Sequence, residues 1–394
     1  MGYQICNRCV MDTSDLEIQF DHSGNCNHCN NYFNNFTKLQ YQGETSDKII
    51  RDLVKKIKDT GRGRQYDCLI GVSGGVDSSY VAFLVKELGL RPLAVHMDNG
   101  WDSIEAVENI KNICDKLDIY YQSYILNWHE FKDIQLSILK SSIPEVEIPT
   151  DVAIAAILHK VAAENGIKYI IGGGNLATEG ILPDSWFYNP KDATLLKSIQ
   201  RRYGSVPMKD FPLFDYKKEI YYKFVKGIKM VYLLNYLPFS KEDAISILKD
   251  KLDWKEYGRK HYESKYTSFA QSYIQPVKFN IDYRRATLSS EICSGKTTRE
   301  RALKELKEVT YDIETVPLQK KYVCKKLNIS VVEFDRIMKL PIKTYKDYPN
   351  NQKKLEFLQQ RLQLTVKDLK IMLKKIIFQN HIKFLKLMVQ ISWI

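Results

Sequence analysis

The sequence predicts an open α/β sheet with parallel strands, preceded by a small cysteine-held module and followed by a mainly helical region. Three observations carry this. Apolar runs of strand length alternate with helical patterns between residues 66 and 172, and strands separated by helices pair in parallel. The first of those strands runs directly into a serine-glycine turn, Ser73-Gly74-Gly75-Val76-Asp77-Ser78, that opens a helix. Two Cys-x-x-Cys pairs, Cys6-Asn7-Arg8-Cys9 and Cys26-Asn27-His28-Cys29, stand ahead of it.

Residues 1–45 are rich in Asn, Asp and Cys and poor in long apolar runs, so burial alone does not fold them. Four thiolates at ribbon spacing would take a tetrahedral zinc ion, Zn2+, through Cys6, Cys9, Cys26 and Cys29. Such a site has no open coordination position, which makes it structural. His22 and His28 are read as bystanders. A helix is expected over 46–58 on the spacing of Ile49, Ile50, Leu53, Val54 and Ile57. Strands follow over 66–72, 91–97, 119–126 and 167–172, with helices over 78–88, 103–117, 128–140 and 151–164. Beyond Gly174 the periodicity is irregular through Trp186-Phe187-Tyr188, and helical patterns resume from 216 to 251. The expected domains are 1–45, 46–230, 231–349 and a basic amphipathic helical tail, 350–394. Ile376 onward is apolar enough to dock on a partner, a membrane surface or the body of the protein.

At 394 residues the chain has material for more than one domain. The net charge of +12 points to an anionic partner or substrate. Part of that excess lies in the tail, at Lys353, Lys354, Lys367, Lys370, Lys374 and Lys375. No apolar run reaches membrane-spanning length and the start does not read as a secretory signal, so a cytoplasmic location is expected. Eight cysteines in such a chain are not a disulfide scaffold. Cys68 and Cys114 read as packing residues, and Cys293 and Cys324 carry no assignment.

The turn at Ser73 has the makings of a phosphate loop. Its glycines let the backbone approach phosphate oxygens, while the hydroxyls of Ser73 and Ser78 and the N–H groups opening the helix donate to them. Asp77 is placed to face Mg2+, and Glu179 offers a second carboxylate. The loop lacks the Gly-Lys-Ser/Thr ending of the P-loop and the three glycines of the dinucleotide fingerprint. Two further loops end strands and read as ligand contacts: His96-Met97-Asp98-Asn99-Gly100-Trp101, and Gly172-Gly173-Gly174-Asn175 leading to Glu179.

This turn resembles the PP-loop of the N-type ATP pyrophosphatases, a superfamily that includes GMP synthetase, NAD synthetase, argininosuccinate synthetase and tRNA thiolases. The resemblance implies an adenine nucleotide alpha hydrolase-like sheet that cleaves ATP between its α- and β-phosphates. Ser73–Ser78 would hold the leaving pyrophosphate, and His96, Asp98 and Asn99 would lie near adenine and ribose. Later come Asp253-Trp254-Lys255-Glu256-Tyr257-Gly258-Arg259-Lys260-His261-Tyr262-Glu263-Ser264, the run from Thr267 to Phe279, and Asp282-Tyr283-Arg284-Arg285-Ala286. With the cysteine pairs and the loop, these make the chain similar to the N-acetyl sugar amidotransferase family of surface-polysaccharide (lipopolysaccharide O-antigen) biosynthesis over about residues 1–350. That resemblance implies conversion of a sugar acetamido group to an acetamidino group through an adenylated imidate that ammonia then attacks. It implies Lys260, His261, Arg284 and Arg285 as contacts to phosphate or to a nucleotide sugar, and His261 or Glu263 as acceptor of the ammonia proton.

The chain has no assignable glutaminase, and the resemblance implies a class I glutaminase and a cyclase-like ammonia-channelling subunit as partners. It departs from the family pattern in the tail after Asn350 and at Gln275, where a more apolar residue is expected before Pro276. The alternative is a tRNA-modifying PP-loop enzyme, a thiolase or lysidine-type synthetase. Against it, no reactive cysteine is placed near the loop and the charge is partly confined to the tail, so nucleic acid is not the expected partner. A nucleotide-binding regulator without turnover is the third reading.

Overall fold

Leu69 faces one side of the sheet and its neighbours Cys68 and Ile70 face the other, as the two-residue period of a strand requires, and all three are fully buried. A strand buried on both faces belongs at the centre of a parallel sheet. The computed structural model, which describes residues 2–258, 262–354 and 356–357, places it there. The order is β3-β2-β1-β4-β5, with β1 Cys68–Gly71, β2 Pro92–Asp98, β3 Tyr120–Ile125, β4 Tyr169–Gly172 and β5 Lys229–Tyr232. All four pairings are parallel.

Helices cover both faces. Val81 and Val85 of Val76–Glu87, Ile110 and Ile113 of Ile104–Lys116, and Leu248 of Lys241–Leu252 pack with Cys68, Ile70 and Ala94. On the opposite face, Ile157 and Val161 of Ile148–Glu164, with Ile134 and Ile138 of Trp128–Ser141, pack with Leu69, Leu93 and Ile170. The expected strands and helices of residues 46–172 are all present, with no end moved by more than three residues. The strand Lys229–Tyr232 is a correction, because it lies inside the stretch read as helical. It pairs with β4 from Tyr169↔Lys229 to Gly172↔Tyr232, so the expected boundary at 230/231 cuts through it.

The strand order reverses at β1. Chain continues from β1 toward β2 on one side, while β4 lies on the other, and the crevice beyond the carboxyl ends of such strands is where open α/β sheets bind ligands. Ser73 follows β1 there, and Gly173 follows β4.

The amino-terminal module is built into the same compact unit, Met1–Tyr348. Bridges pair Ile5 with Asp12 and Phe20 with Cys26. Arg299 donates to the carbonyls of Cys6 at 2.9 Å and Cys9 at 3.1 Å, and Val10 N–H donates to Ser289 Oγ at 3.2 Å. Arg285 spans the junction, donating to the Val10 carbonyl at 2.9 Å and pairing with the buried Asp12 at 3.0 Å. Tyr32 O–H reaches the Leu176 carbonyl at 3.1 Å, so the module also supports the loop after β4.

The second unit is Pro349–Ile394. Its described part is helical about Gln352, whose side chain bonds Glu356 at 2.8 Å. Most of the expected tail helix lies outside the described residues. Among the described residues, no helix is long and apolar enough to cross a membrane.

Removing one member of a buried ion pair leaves the other charge uncompensated. Arg285→Ala is therefore expected to lower unfolding free energy by about 3 kcal/mol, read by urea denaturation, with the far-UV spectrum retained.

Candidate active site

The phosphate loop is held by its carbonyl. Gly74 adopts φ +77°, and its C=O accepts from Trp254 Nε1 at 3.0 Å and Asn109 Nδ2 at 3.2 Å. A side chain at this position would be strained by that φ and would meet the Ala106 backbone oxygen at 2.3 Å. With its carbonyl turned outward, the loop gathers its donors on the inner side. Gly75 N–H bonds Ser73 Oγ at 3.3 Å, Ser73 N–H bonds Ser78 Oγ at 3.2 Å, and the two hydroxyls lie 3.1 Å apart.

The segment after Trp254 closes over this loop. Val76 N–H donates to Tyr257 Oη at 3.2 Å and Ser73 Oγ donates to Glu263 Oε1 at 3.3 Å. Glu263, expected to accept a proton from ammonia, lines the cavity, with Oε1 on Ser73 of the phosphate loop, where an anion binds, and Oε2 without a partner. Burial and the neighbouring carboxylate of Glu263 push the Tyr257 hydroxyl well above its usual pKa, so it is a neutral phenol. Ser103 N–H to the Glu263 carbonyl, 2.8 Å, and Lys265 N–H to the Trp101 carbonyl, 2.8 Å, stitch this segment to the loop after β2.

His96, at the end of β2, lies between Val72 C=O, 3.0 Å from Nδ1, and Asp102 Oδ2, 3.0 Å from Nε2. Both partners only accept, so the ring donates from both nitrogens as an imidazolium. Burial opposes that charge, but Asp102 outweighs it and the pKa is raised. Asn99 is buried, accepts from Trp101 N–H at 3.1 Å and donates to Thr150 Oγ1 at 3.3 Å. Asp98 closes its own turn, accepting from Gly100 N–H at 2.7 Å.

Asn175 brings the two expected magnesium ligands together. Its Nδ2 lies 3.5 Å from Asp77 Oδ2, and its backbone N–H donates to Glu179 Oε2 at 3.3 Å. Gly173 allows this approach, since a Cβ there would lie 3.0 Å from the Asp77 carbonyl carbon and the Ser78 nitrogen. Gly172, Gly173 and Gly174 line a cavity of about 450 Å³ together with Ser73, His96 and Asn99.

Arg284 and Arg285 are not at this cavity. Arg284 is fixed by Asp282 at 2.7 Å and by the carbonyls of Glu305 and Glu308, and Arg285 binds the amino-terminal module as described. Both guanidiniums are engaged in tertiary structure, which corrects their reading as substrate contacts. Lys260 and His261 lie outside the described residues. Trp254 and Tyr257 are site residues that sequence reasoning passed over, although both stand in the segment that carried the family resemblance.

Residues 63–179 match the family described as thiamine biosynthesis protein (ThiI), and residues 263–363 match the LPS biosynthesis protein WbpG-like, C-terminal domain. These matches place a PP-loop-type domain over residues 63–179 and a WbpG-like C-terminal domain over residues 263–363. Among curated proteins, the probable mitochondrial tRNA-specific 2-thiouridylase 1 of Caenorhabditis elegans is 27% identical over 162 residues, 37% of this chain and 41% of that protein. The uncharacterized protein MJ1599 of Methanocaldococcus jannaschii is 24% identical over 279 residues, 70% of this chain and 81% of that protein. A solved structure, the U34-tRNA thiolase NcsA from Methanococcus maripaludis with its 4Fe-4S cluster, aligns at 18% identity. That alignment covers 80% of this chain and 91% of that one, with a TM-score of 0.29. The chain spans less than half the length of the first curated relatives it matches.

Ahead of the matched PP-loop segment, the sulfurs of Cys6, Cys9, Cys26 and Cys29 all lie within 4.8 Å of one another and are buried. Cys6 and Cys29 are 3.7 Å apart, and Cys9 and Cys26 3.5 Å. Thiolates arranged tetrahedrally on a zinc ion, with bonds of about 2.3 Å, stand about 3.8 Å apart. The arrangement fits a zinc ribbon. A cubane cluster carries each thiolate on a different iron and spreads them farther. His28 is engaged elsewhere, 2.6 Å from Asp15.

The raised His96 pKa sets the sign of a pH effect. The pair with Asp102 contributes fully below the unfolded value of about 6.5 and is lost as pH rises through the folded value. NMR titration is expected to place His96 above an exposed histidine, and Asp102→Asn to bring it down.

Proposed function

We propose that this protein is an ATP-dependent amidotransferase that converts the acetamido group of a nucleotide-linked N-acetyl sugar to an acetamidino group. One observation carries the reading. The cavity that Ser73 and Gly172–Gly174 line on the PP-loop side is walled on the other by Glu263, Thr267, Gln271, Gln275 and Tyr283 of the WbpG-like segment. A nucleotide at the strand ends therefore faces a chamber built from the lipopolysaccharide-associated part of the chain.

An amide carbon is a weak electrophile, and adenylation activates it. The acetamido oxygen attacks the α-phosphorus of ATP, the bond to the bridging oxygen breaks, and pyrophosphate leaves. Ammonia adds to the imidate carbon, the C–O bond breaks, and its electron pair departs with AMP. The PP-loop donors at Ser73, Gly75, Val76 and Ser78 would hold the leaving pyrophosphate, which requires Tyr257 and Glu263 to give up their places there. Asp77 and Glu179 would hold Mg2+, which offsets phosphate charge when bound. Most of the acceleration then comes from alignment and charge placement.

Thiol chemistry has little support in this chain. Burial raises the pKa of Cys68, and raises Cys114 and Cys324 to about 11 and Cys293 to about 12, the reverse of what a nucleophilic thiolate needs. The same four thiols offer no glutaminase nucleophile, so ammonia would come from a separate glutaminase subunit through a cyclase-like channelling subunit. The tRNA thiouridylase relatives favour a tRNA substrate as the second reading.

Both readings meet in one assay. Labelled ATP and ammonium are incubated with UDP-N-acetyl sugars or with bulk tRNA, and AMP and product mass are followed. AMP formation with a sugar product in which NH has replaced oxygen is expected; AMP released only with tRNA would overturn the proposal. Asp77→Asn is expected to lower kcat/KM by about 100-fold without changing the melting temperature. We further propose zinc as the ion of the cysteine ribbon. Elemental analysis is expected to find zinc and not iron, and Cys26→Ser to lose both the metal and much of the folded protein.

A further inference from the structure

The cavity carries acidic residues that are short of partners. Glu145 is 4% exposed; its Oε1 accepts from Tyr188 N–H at 2.7 Å and its Oε2 has no partner. Glu147 Oε1, also buried, has none. Glu147 occupies the position before the helix Ile148–Glu164 without capping it, and Asp151 lies one turn farther along. Gln275, from the WbpG-like segment, is 3% exposed and presents an unpartnered Oε1, while its Nε2 donates to the Pro144 carbonyl at 3.3 Å. All four residues line the cavity.

Unpaired buried acceptors are costly, and buried carboxylates without a cation more so. Among the described residues no lysine or arginine lines this cavity. The cluster of Glu145, Glu147, Asp151 and Gln275 is therefore unsuited to the phosphates of a substrate and suited to a guest that donates hydrogen bonds or carries positive charge. A divalent metal is not indicated, because among the described residues only the four cysteines are grouped to share an ion. The unpartnered atoms at Glu145, Glu147 and Gln275 are all acceptors. A sugar hydroxyl both donates and accepts, whereas ammonium has only N–H donors and one positive charge.

We propose that Glu145, Glu147, Asp151 and Gln275 form the binding site for the nitrogen nucleophile, held as ammonium and released as ammonia beside the activated carbon. This assignment rests on the amidotransferase reading for its use but not for its binding chemistry. Ammonium gives one proton to a carboxylate of the site. The nitrogen lone pair then forms the new C–N bond, a second proton passes from that nitrogen to another carboxylate of the site, the C–O bond to AMP breaks with its electron pair on AMP, and the amidinium product keeps the nitrogen's other two protons. Burial supports the proton-accepting role, pushing Glu145 and Asp151 up to about 7 and Glu147, with Asp151 adding to the effect, up to about 8. Gln275 thereby gains a reason for standing where an apolar residue was expected.

The test separates binding from turnover. Melting of the full chain is followed in ammonium chloride against sodium chloride and tetramethylammonium chloride at equal ionic strength. Ammonium alone is expected to raise the melting temperature of the wild type, and Glu147→Gln and Gln275→Leu to abolish that increment. Glu147→Gln removes a buried acid whose Oε1 has no partner, so it is expected to fold at least as stably in sodium chloride. In the coupled assay Glu147→Gln is expected to raise KM for ammonium by at least about tenfold and leave KM for ATP within about twofold. An equal ammonium response in wild type and both variants, or stabilisation by free N-acetylglucosamine in place of ammonium that Glu147→Gln removes, overturns the proposal. Ammonium binding lost in the variants, with no AMP formed from any sugar, leaves this site standing and counts against the amidotransferase reading.

Discussion

The carbonyl of Gly74 is the point on which the active region turns. By accepting from Asn109 and Trp254 it fixes the peptide so that the adjoining N–H groups and serine hydroxyls face inward. It also ties three distant parts of the sequence together: the loop after β1, the helix Ile104–Lys116 and the segment that leads into the WbpG-like domain. A left-handed glycine is needed here because any side chain would collide with the Ala106 backbone. From this anchor the segment carries Tyr257 and Glu263 onto the loop. It then pairs with the backbone after β2 before entering the helices that wall the cavity.

Much of this was legible in the sequence. The inner strands could be read because Cys68–Gly71 and Pro92–Asp98 are apolar on both faces, and the loop because two glycines and two serines sit where strand becomes helix. The edge strand Lys229–Tyr232 escaped because an edge in contact with water needs no continuous apolar run. Its exposed Lys229, Met230 and Tyr232 interrupt the pattern, and pairing with β4 decides its conformation. The cysteine pairs were plain from their spacing alone. Arg284 and Arg285 misled because adjacent arginines look the same in sequence whether they meet a phosphate or, as here, the carboxylates of Asp282 and Asp12. Glu145, Glu147 and Asp151 gave no signal, since acids about the start of a helix are ordinary surface residues, and only the packing of Gln275 and Tyr283 over them encloses the chamber.

The cavity carries groups of opposite character. His96, an imidazolium paired with Asp102, and Ser73 of the PP-loop line it, and so do the unpaired acceptors of Glu145, Glu147 and Gln275. A polyphosphate is drawn to the first group and repelled by the second, so the two reacting groups are sorted by charge before contact. A single chamber can then hold an anion and a small cation in fixed relation, and the apolar wall of Ile148, Ile154, Leu158 and Leu182 limits the water between them.

Arg299 and Ser289 grip the backbone of the first cysteine knuckle from nearly three hundred residues downstream. During synthesis the knuckles leave the ribosome ahead of the sheet, yet their docking partners emerge only after the whole sheet has been made. The cysteine module is thus among the last pieces to be seated, and until then its backbone carbonyls wait without the arginine donors that complete them.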